Sequence, residues 1–232
     1  MADSGRSISL LGRLAAWLAR ALLRLAARVR VDGLHNLPRN GPLIVVANHL
    51  SNADPPFVFG WLTPALGRQM HILAKESLFV GPLGTFLRSQ GVTPVRAGGN
   101  DIEAFRAAKA VLDRGEVLCI FPEGTRSRTG QLADPKPGAA LLASRAAVPV
   151  VPVGISGTDR FLGPGRVLPR LRAPITLRVG RPFLLPEPDP ALSRREQIRG
   201  AADEIMGRLA ALIDERHRGA HRPRMDSDAP IG

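Results

Sequence analysis

From residue 42 onward, short β-rich runs alternate with helical ones, and this alternation restricts the possible folds more than any other feature of the chain. The strand candidates are PLIVVAN (42–48), MHILAKE (70–76), GVTPVR (91–96), EVLCIF (116–121), VPVVPVGIS (148–156) and ITLRVG (175–180). Between the third and fourth, Asn100 and Glu103 have capping-box spacing, AFRAAKAVL carries a helical period, and Gly115 supplies a stop. A second marked helix starts at Ser193, with Glu196 three residues on, and runs through EIMGRLAALIDER. Such alternation predicts an α/β class, a mixed and largely parallel sheet flanked by helices. A chain of 232 residues has room for one sizeable core of this kind.

Residues 8–31 read ISLLGRLAAWLARALLRLAARVRV. On a helix, Arg13, Arg20, Arg24 and Arg28 fall within about 80° of one another, with Leu and Trp opposite. A membrane-spanning helix needs ~20 mostly apolar residues, and the longest arginine-free stretch near the middle is only LAAWLA. The same arginines interrupt what would be the apolar core of a signal peptide. The pattern predicts a basic amphipathic helix in segment 1–33, suited to an anionic bilayer surface. The competing reading is a helix packed on the protein's own core. An α/β domain is expected over 34–216, followed by a polar, disordered tail over 217–232.

Composition narrows the chemistry. Lys and Arg total 32 against 20 Asp and Glu, a net charge of +12, and lysine occurs only at Lys75, Lys109 and Lys136. The excess suits a polyanionic partner: nucleic acid, an acidic membrane or a phosphorylated substrate. An Ala- and Arg-heavy codon bias would produce the same excess without a partner. Tyrosine is absent and aromatic residues make up 4%, so surfaces for stacking bases are scarce and no nucleic-acid partner is expected. Cys119, the lone cysteine, excludes an intramolecular disulfide and a cysteine metal cluster. No second histidine stands at ligand spacing, so no metal site is expected.

Two short stretches carry candidate chemistry. In NHLSNADP (48–55), a histidine follows directly on an apolar run and an aspartate comes five residues later. His49 and Asp54 cannot share one helix face, but they can meet if the strand ends near Asn48, LSNA turns back, and Pro55 opens a helix. Asp54 would then orient one imidazole nitrogen and leave the other free to take a proton from a hydroxyl. The second stretch is FPEGTRS (121–127). Here Gly124 and Thr125 offer backbone N–H groups at a strand end. Arg126 adds a planar fork suited to phosphate oxygens, and Glu123 beside it can orient that fork or contact substrate. Read singly, each stretch is equally a surface turn. Neither contains a nucleophile: Ser51 and Cys119 are candidates in name only, and Cys119 lies mid-strand in apolar company.

Together, Asn48-His49-x-x-x-x-Asp54, Phe121 to Arg126, the Lys-x-Gly-Ala segment at 136–139 and the proline-bearing VPVVPVGISGT resemble the glycerophosphate acyltransferase superfamily. The resemblance runs over about 34–186 and is strongest to bacterial 1-acyl-glycerol-3-phosphate acyltransferases. It implies an α/β fold around a mixed sheet, His49 and Asp54 as catalytic dyad, and Arg126 as phosphate binder. Lys75, in LAKESLF, matches a family lysine facing that phosphate. One departure stands out. The family's Gly-x-x-Pro-Val-x-Arg places an arginine where this chain has Ala97, and GVTPVRA puts Arg96 one place early. On a strand, one residue of shift turns a side chain to the other face; Arg96 is still a candidate phosphate contact where the strand has ended before it.

The reaction these readings imply moves a fatty acyl group from an acyl thioester, acyl-CoA or acyl carrier protein, to the sn-2 hydroxyl of 1-acyl-glycerol 3-phosphate, giving phosphatidate. His49 is the base, backbone amides near Gly124 receive the oxyanion, and no metal or prosthetic group is implied. The expected location is peripheral, on the cytoplasmic face of the cell membrane. FVFGWL (57–62) would line the tail's path or simply form core. The alternatives are another acceptor, such as glycerol 3-phosphate, a different lysolipid or an amino-lipid, and a non-enzymatic basic module binding membrane or nucleic acid.

Overall fold

The computed structural model describes residues 10–95, 101–187 and 189–224. Its strands are β1 (Ala27–Asp32), β2 (Leu43–Ala47), β3 (Met70–Lys75), β4 (Val92–Val95), β5 (Val117–Ile120), β6 (Val150–Ser156) and β7 (Ala173–Val179). Its α-helices are α1 (Leu10–Ala26), α2 (Asp54–Leu66), α3 (Gly81–Ser89), α4 (Asp101–Asp113), α5 (Pro137–Ala146), α6 (Thr158–Phe161) and α7 (Arg194–Leu212). The strands form one sheet in the order β1-β7-β6-β2-β5-β3-β4. Among the described strands β6 and β7 pair antiparallel and the other pairs are parallel, so the sheet is mixed and mostly parallel, as the alternation predicts.

The central strand shows why apolar runs rather than alternating ones mark this sheet. Leu43, Val45 and Ala47 enter the core shared with α2, while Ile44 and Val46 enter the core shared with α4, α5 and α7. A parallel strand covered on both faces needs apolar side chains at every position. Prolines fall where no ladder N–H is needed. Pro94 is on the edge strand β4, and Pro152 lies between the last β6–β7 pair, Val153↔Val179, and the isolated bridge Val150↔Phe183. Helix α7 begins with the expected capping box, the Ser193 side chain accepting from the Glu196 N–H and Glu196 accepting from the Ser193 N–H. Asn100 lies outside the described residues.

Two expectations are corrected. The helix expected to run through Val31 ends at Ala26, and Ala27–Asp32 is an edge strand pairing parallel with β7. The sequence there, ARVRVD, alternates with period two: Val29 and Val31 pack against the core while Arg28 and Arg30 face solvent. The tail expected to be disordered from 217 packs back as far as 224. His217 is buried, its carbonyl accepts from the Leu132 N–H and its Nδ1 meets the Gly130 carbonyl; Arg224 donates its N–H to Gly207 and its guanidinium pairs with Glu204. Gly207 permits that return, since a Cβ there would lie 2.7 Å from Arg224 Cγ.

Helix α1 packs one side on the core and leaves a leucine-rich face open. Ala16 is buried and Leu23 packs on the core, while the Arg20 and Arg24 guanidinium groups sit 5.6 and 5.9 Å from the Trp61 ring centroid. Burial, and then the charge of Arg24, lowers the Arg20 pKa. The face left open is apolar: Leu14, Trp17, Leu18, Leu22 and Leu25 are between 51% and 81% exposed. The FVFGWL segment beneath is core, with Phe57, Val58, Trp61 and Leu62 all buried. Among the described residues no helix is long and apolar enough to cross a membrane.

Candidate active site

Parallel neighbours β2 and β5 release their C-terminal loops from the same sheet edge, because Val46 is in register with Ile120. Residues 48–54 and 121–127 therefore leave the sheet side by side, at the end where open α/β sheets place their ligands. The turn after β2 is built to aim one imidazole. Asn48 clamps β6, its side-chain N–H donating to the Ile155 carbonyl and its oxygen accepting from the Ile155 N–H. Ser51 donates its hydroxyl to the Leu162 carbonyl and accepts from the Ala53 N–H. The chain then reverses into α2, with Pro55 in its first turn.

That reversal brings Asp54 Oδ2 to 2.9 Å from His49 Nδ1. The same oxygen accepts the Leu50 and Ser51 N–H groups at 2.6 Å each, and the Asp54 side chain is fully buried. Three donors converge on one carboxylate oxygen, so the acceptor's position is over-determined. The imidazole is also held in plane by Phe121, stacked at 4.3 Å between centroids and 24° between rings. The His49 side chain keeps 18% exposure, and no described residue bonds its Nε2. A neutral imidazole donating from Nδ1 to Asp54 presents a lone pair at Nε2.

The second loop is tied to the first through His49 itself. Ser127 donates its N–H to the His49 carbonyl at 2.8 Å, and Glu123 Oε1 accepts the His49 N–H at 2.7 Å. Glu123 Oε2 accepts the Ala133 N–H at 3.0 Å. Both oxygens of Glu123 are thus committed to backbone, and the residue braces the two loops rather than orienting Arg126. Burial pushes its carboxyl above the ordinary range, against the two N–H donors that favour the anion. Glu123→Ala should leave the His49 and Ala133 amides unpaired, at about 1–3 kcal/mol each. The expected result is a denaturant midpoint lowered with unchanged slope, together with weakened turnover.

Gly124 sits in the left-handed region at φ 67°, and a Cβ there would lie 2.7 Å from Lys136 Cγ. Its N–H donates to the Phe121 carbonyl, so this amide is spent on the turn. The Thr125 and Arg126 N–H groups have no described acceptor, which makes them the donors still open at this edge. Arg126 is half-buried, and no described acidic group pairs with it. Lys75 ends β3, the next strand beyond β5, and is exposed at the same edge. Arg96 lies outside the described residues; β4 is followed to Val95, which is in register with Lys75.

Neither nominal nucleophile is available. Ser51 is buried and holds the Leu162 carbonyl, and burial pushes the Cys119 thiol up to about 12. Sequence reasoning did not assign the anchoring work of Asn48, Ser51 and Phe121. The signal was present for the first two, since polar side chains at the mouth of a buried strand must find partners. The Phe121 stack and the Ser127 amide depend on inter-strand register, which no local pattern encodes.

A family model described as Acyltransferase matches residues 28–156. The chain is 30% identical over 200 residues to a mouse 1-acyl-sn-glycerol-3-phosphate acyltransferase alpha, covering 82% of this chain and 68% of that protein. It is 31% identical over 142 residues to a chloroplastic 1-acyl-sn-glycerol-3-phosphate acyltransferase of Arabidopsis thaliana, covering 60% of this chain. There the match spans only 38% of the relative's own length. In three dimensions the chain is similar to the crystal structure of the 1-acyl-sn-glycerophosphate acyltransferase from Thermotoga maritima, with TM-score 0.66 and 26% identity. That likeness covers 86% of this chain and 78% of the other.

Proposed function

The chain belongs to the acyltransferase family, and from that membership we propose that it moves a fatty acyl group from an acyl thioester to the sn-2 hydroxyl of 1-acyl-glycerol 3-phosphate, forming phosphatidate. The observation that carries the reading is the His49 Nδ1 to Asp54 Oδ2 contact of 2.9 Å, set against a loop whose Arg126 has no described counter-charge. The relatives' names supply the acceptor. Acyl-CoA or an acyl carrier protein supplies the thioester.

In this mechanism the acceptor's phosphate is held by Arg126, with Lys75 adding charge from β3. His49 Nε2 takes the proton as the sn-2 oxygen attacks the thioester carbonyl. The buried Asp54 stabilises the imidazolium that forms. The tetrahedral oxyanion is received by the Thr125 and Arg126 N–H groups, one such donor typically being worth ~3–4 kcal/mol. Of the amides near Gly124, the Gly124 hydrogen itself is engaged by Phe121. The C–S bond then breaks, and the imidazolium returns its proton to the departing thiolate. The products are ester and free thiol, with no covalent enzyme intermediate and no metal.

One acyl thioester offered with a panel of acceptors tests the assignment, thiol release being the readout. Lysophosphatidate should be acylated at least about tenfold faster than a lysolipid without a terminal phosphate, since a charge-assisted contact contributes ~1.5–3 kcal/mol, and faster than glycerol 3-phosphate, which keeps the phosphate but has no acyl chain to bury. Faster acylation of glycerol 3-phosphate would assign the chain to that acceptor instead, and thiol release without ester would make it a thioesterase.

The second part of the reading places α1 on the membrane by its apolar face. Leu14, Trp17, Leu18, Leu22 and Leu25 enter the interface, with exposed Arg13 and Arg24 on one flank. Burying a full Leu contributes ~1.5–3 kcal/mol, so roughly 1 kcal/mol is expected for each half-exposed one. Replacing Leu18, Leu22 and Leu25 by Ser should therefore weaken vesicle flotation more than replacing Arg13 and Arg24 by Gln. High salt should reduce binding without abolishing it. Protein that high salt removes completely would contradict an apolar attachment.

A further inference from the structure

Between α6 and β7 the chain passes through LGPGRVLPRLR (162–172), which forms no helix or strand yet is fastened at several points. Arg166 donates its N–H to the Gly163 carbonyl, Arg170 to Phe161, and Arg172 to Ala26, the last residue of α1. The Leu162 carbonyl at its start is the acceptor for Ser51 of the His49 turn. Arg172 holds its amide toward α1 with φ at 59°, a backbone region a non-glycine side chain enters only when its surroundings fix it. The loop is thus stapled to the C-terminal end of α1 on one side and to the active-site turn on the other.

What the stapled loop displays is not what a soluble surface needs. Val167 is 89% exposed, Leu168 78% and Leu171 68%, and nothing described covers them. Between them stand Arg166, Arg170 and Arg172, all exposed and none paired with an acidic group among the described residues. Collapse onto the core would be the usual fate of three large aliphatic side chains so close together, and the staples prevent it. The loop also lies on the sheet face that carries α1: Phe161 and Leu162 share a core with Leu23, Ala26 and Trp61. At its far end the Arg172 N–H reaches the Ala26 carbonyl, next in the chain to the exposed Leu25 of α1.

We propose that loop 162–172 is a second bilayer contact, in which Val167, Leu168 and Leu171 insert among acyl chains while Arg166, Arg170 and Arg172 meet anionic headgroups. The proposal rests on the membrane reading of α1 and deepens it. One amphipathic helix fixes a depth but leaves the protein free to roll about the helix axis, whereas helix and loop together define a plane. That plane would set the His49 turn, tied to the loop through Leu162, toward the headgroup layer where a lysophospholipid presents its hydroxyl. The interleaving of aliphatic and cationic groups favours a lipid surface over a purely acidic protein, which would leave the aliphatic side chains uncovered.

The test places an environment-sensitive dye on introduced cysteines in the full chain. Cys119 is buried with its thiol pushed up to about 12, so labelling goes to the new site. Leu168→Cys reports the loop, Leu25→Cys reports α1, and Glu103→Cys on α4, across the sheet, is the control. With phosphatidylglycerol-containing vesicles the Leu168 and Leu25 dyes should blue-shift and the Glu103 dye should not. The loop response should be weaker on pure phosphatidylcholine and in high salt. A shift at Leu25 with none at Leu168 overturns this proposal and leaves the α1 reading standing; silence at both overturns the two together. A shift at Leu168 alone supports the loop and removes α1. A Leu168 dye that ignores vesicles but responds to purified acyl carrier protein overturns the proposal in favour of a protein partner. In parallel, replacing Val167, Leu168 and Leu171 together by Ser should lower vesicle affinity about tenfold or more, and unchanged affinity counts against the loop.

Discussion

His49→Ala should lower kcat by about 10²–10⁴-fold while leaving the fold and melting temperature nearly unchanged. The imidazole is partly exposed and its ring is held only by Phe121 and Asp54, so its loss removes a proton acceptor rather than core. Asp54 is a different case. Asp54→Asn keeps an oxygen for the Leu50 and Ser51 amides, and because the same atom position faces His49 Nδ1, what it removes is the negative charge that stabilises the imidazolium. The matching change in a serine-protease triad costs on the order of 10⁴ in kcat. Asp54→Ala should add a stability loss, because two buried N–H groups then lack an acceptor, at about 1–3 kcal/mol each. Single-turnover rates and thermal melts of the three variants separate these effects. A His49→Ala enzyme retaining more than half of the wild-type rate would end the general-base mechanism.

Arg126→Ala should raise the KM for the phosphorylated acceptor by about tenfold to a hundredfold, with the thioester's KM changing far less, since a charge-assisted contact contributes ~1.5–3 kcal/mol. Arg126→Lys should recover only part of the loss, because an ammonium cannot reproduce the two-pronged guanidinium contact. Lys75→Ala should do less than Arg126→Ala: the lysine is exposed and its charge is screened, whereas Arg126 is half-buried. Equal effects on both substrates would point to a loop that misfolds, and unaltered acceptor kinetics would take Arg126 out of the site.

The strand runs β2, β5 and β6 were legible because a strand covered on both faces demands a continuous apolar segment, which stands out against charged helices. Ala27–Asp32 was missed for the converse reason. As an edge strand it needs only one apolar face, and its Val29 and Val31 continue the leucine pattern of α1 closely enough to read as helix. The tail was misjudged because RGAHRPR carries no large apolar residue, and its order comes from the Gly207 carbonyl, which accepts the Arg224 N–H, and from the loop at 130–132, whose Leu132 N–H donates to the His217 carbonyl. At the site, His49 and Asp54 were legible from a strand, a turn and a helix-opening proline. The role of Glu123 was not, because a carboxylate beside an arginine in sequence invites an ion pair, and only the placement of His49 and Ala133 draws both its oxygens elsewhere.

The sequence by itself determined the α/β class, from strand and helix runs alternating between 42 and 180, and the placing of a histidine, an aspartate and an arginine in two loops that follow strands. Each run and each motif depends on residue type and spacing over about ten positions, within the reach of local propensity. Tertiary structure alone decided which backbone amides of the 121–127 loop are left without an acceptor among the described residues and which way α1 turns its leucines. It also decided where loop 162–172 is fastened. The Gly124 hydrogen is spent inside its own turn, Trp61 of α2 takes the Arg20 and Arg24 guanidinium groups against its ring, and Ala26 at the end of α1 receives the Arg172 amide. These outcomes turn on contacts between segments far apart in the chain, whose partners are set by sheet register and helix packing rather than by any neighbouring residue.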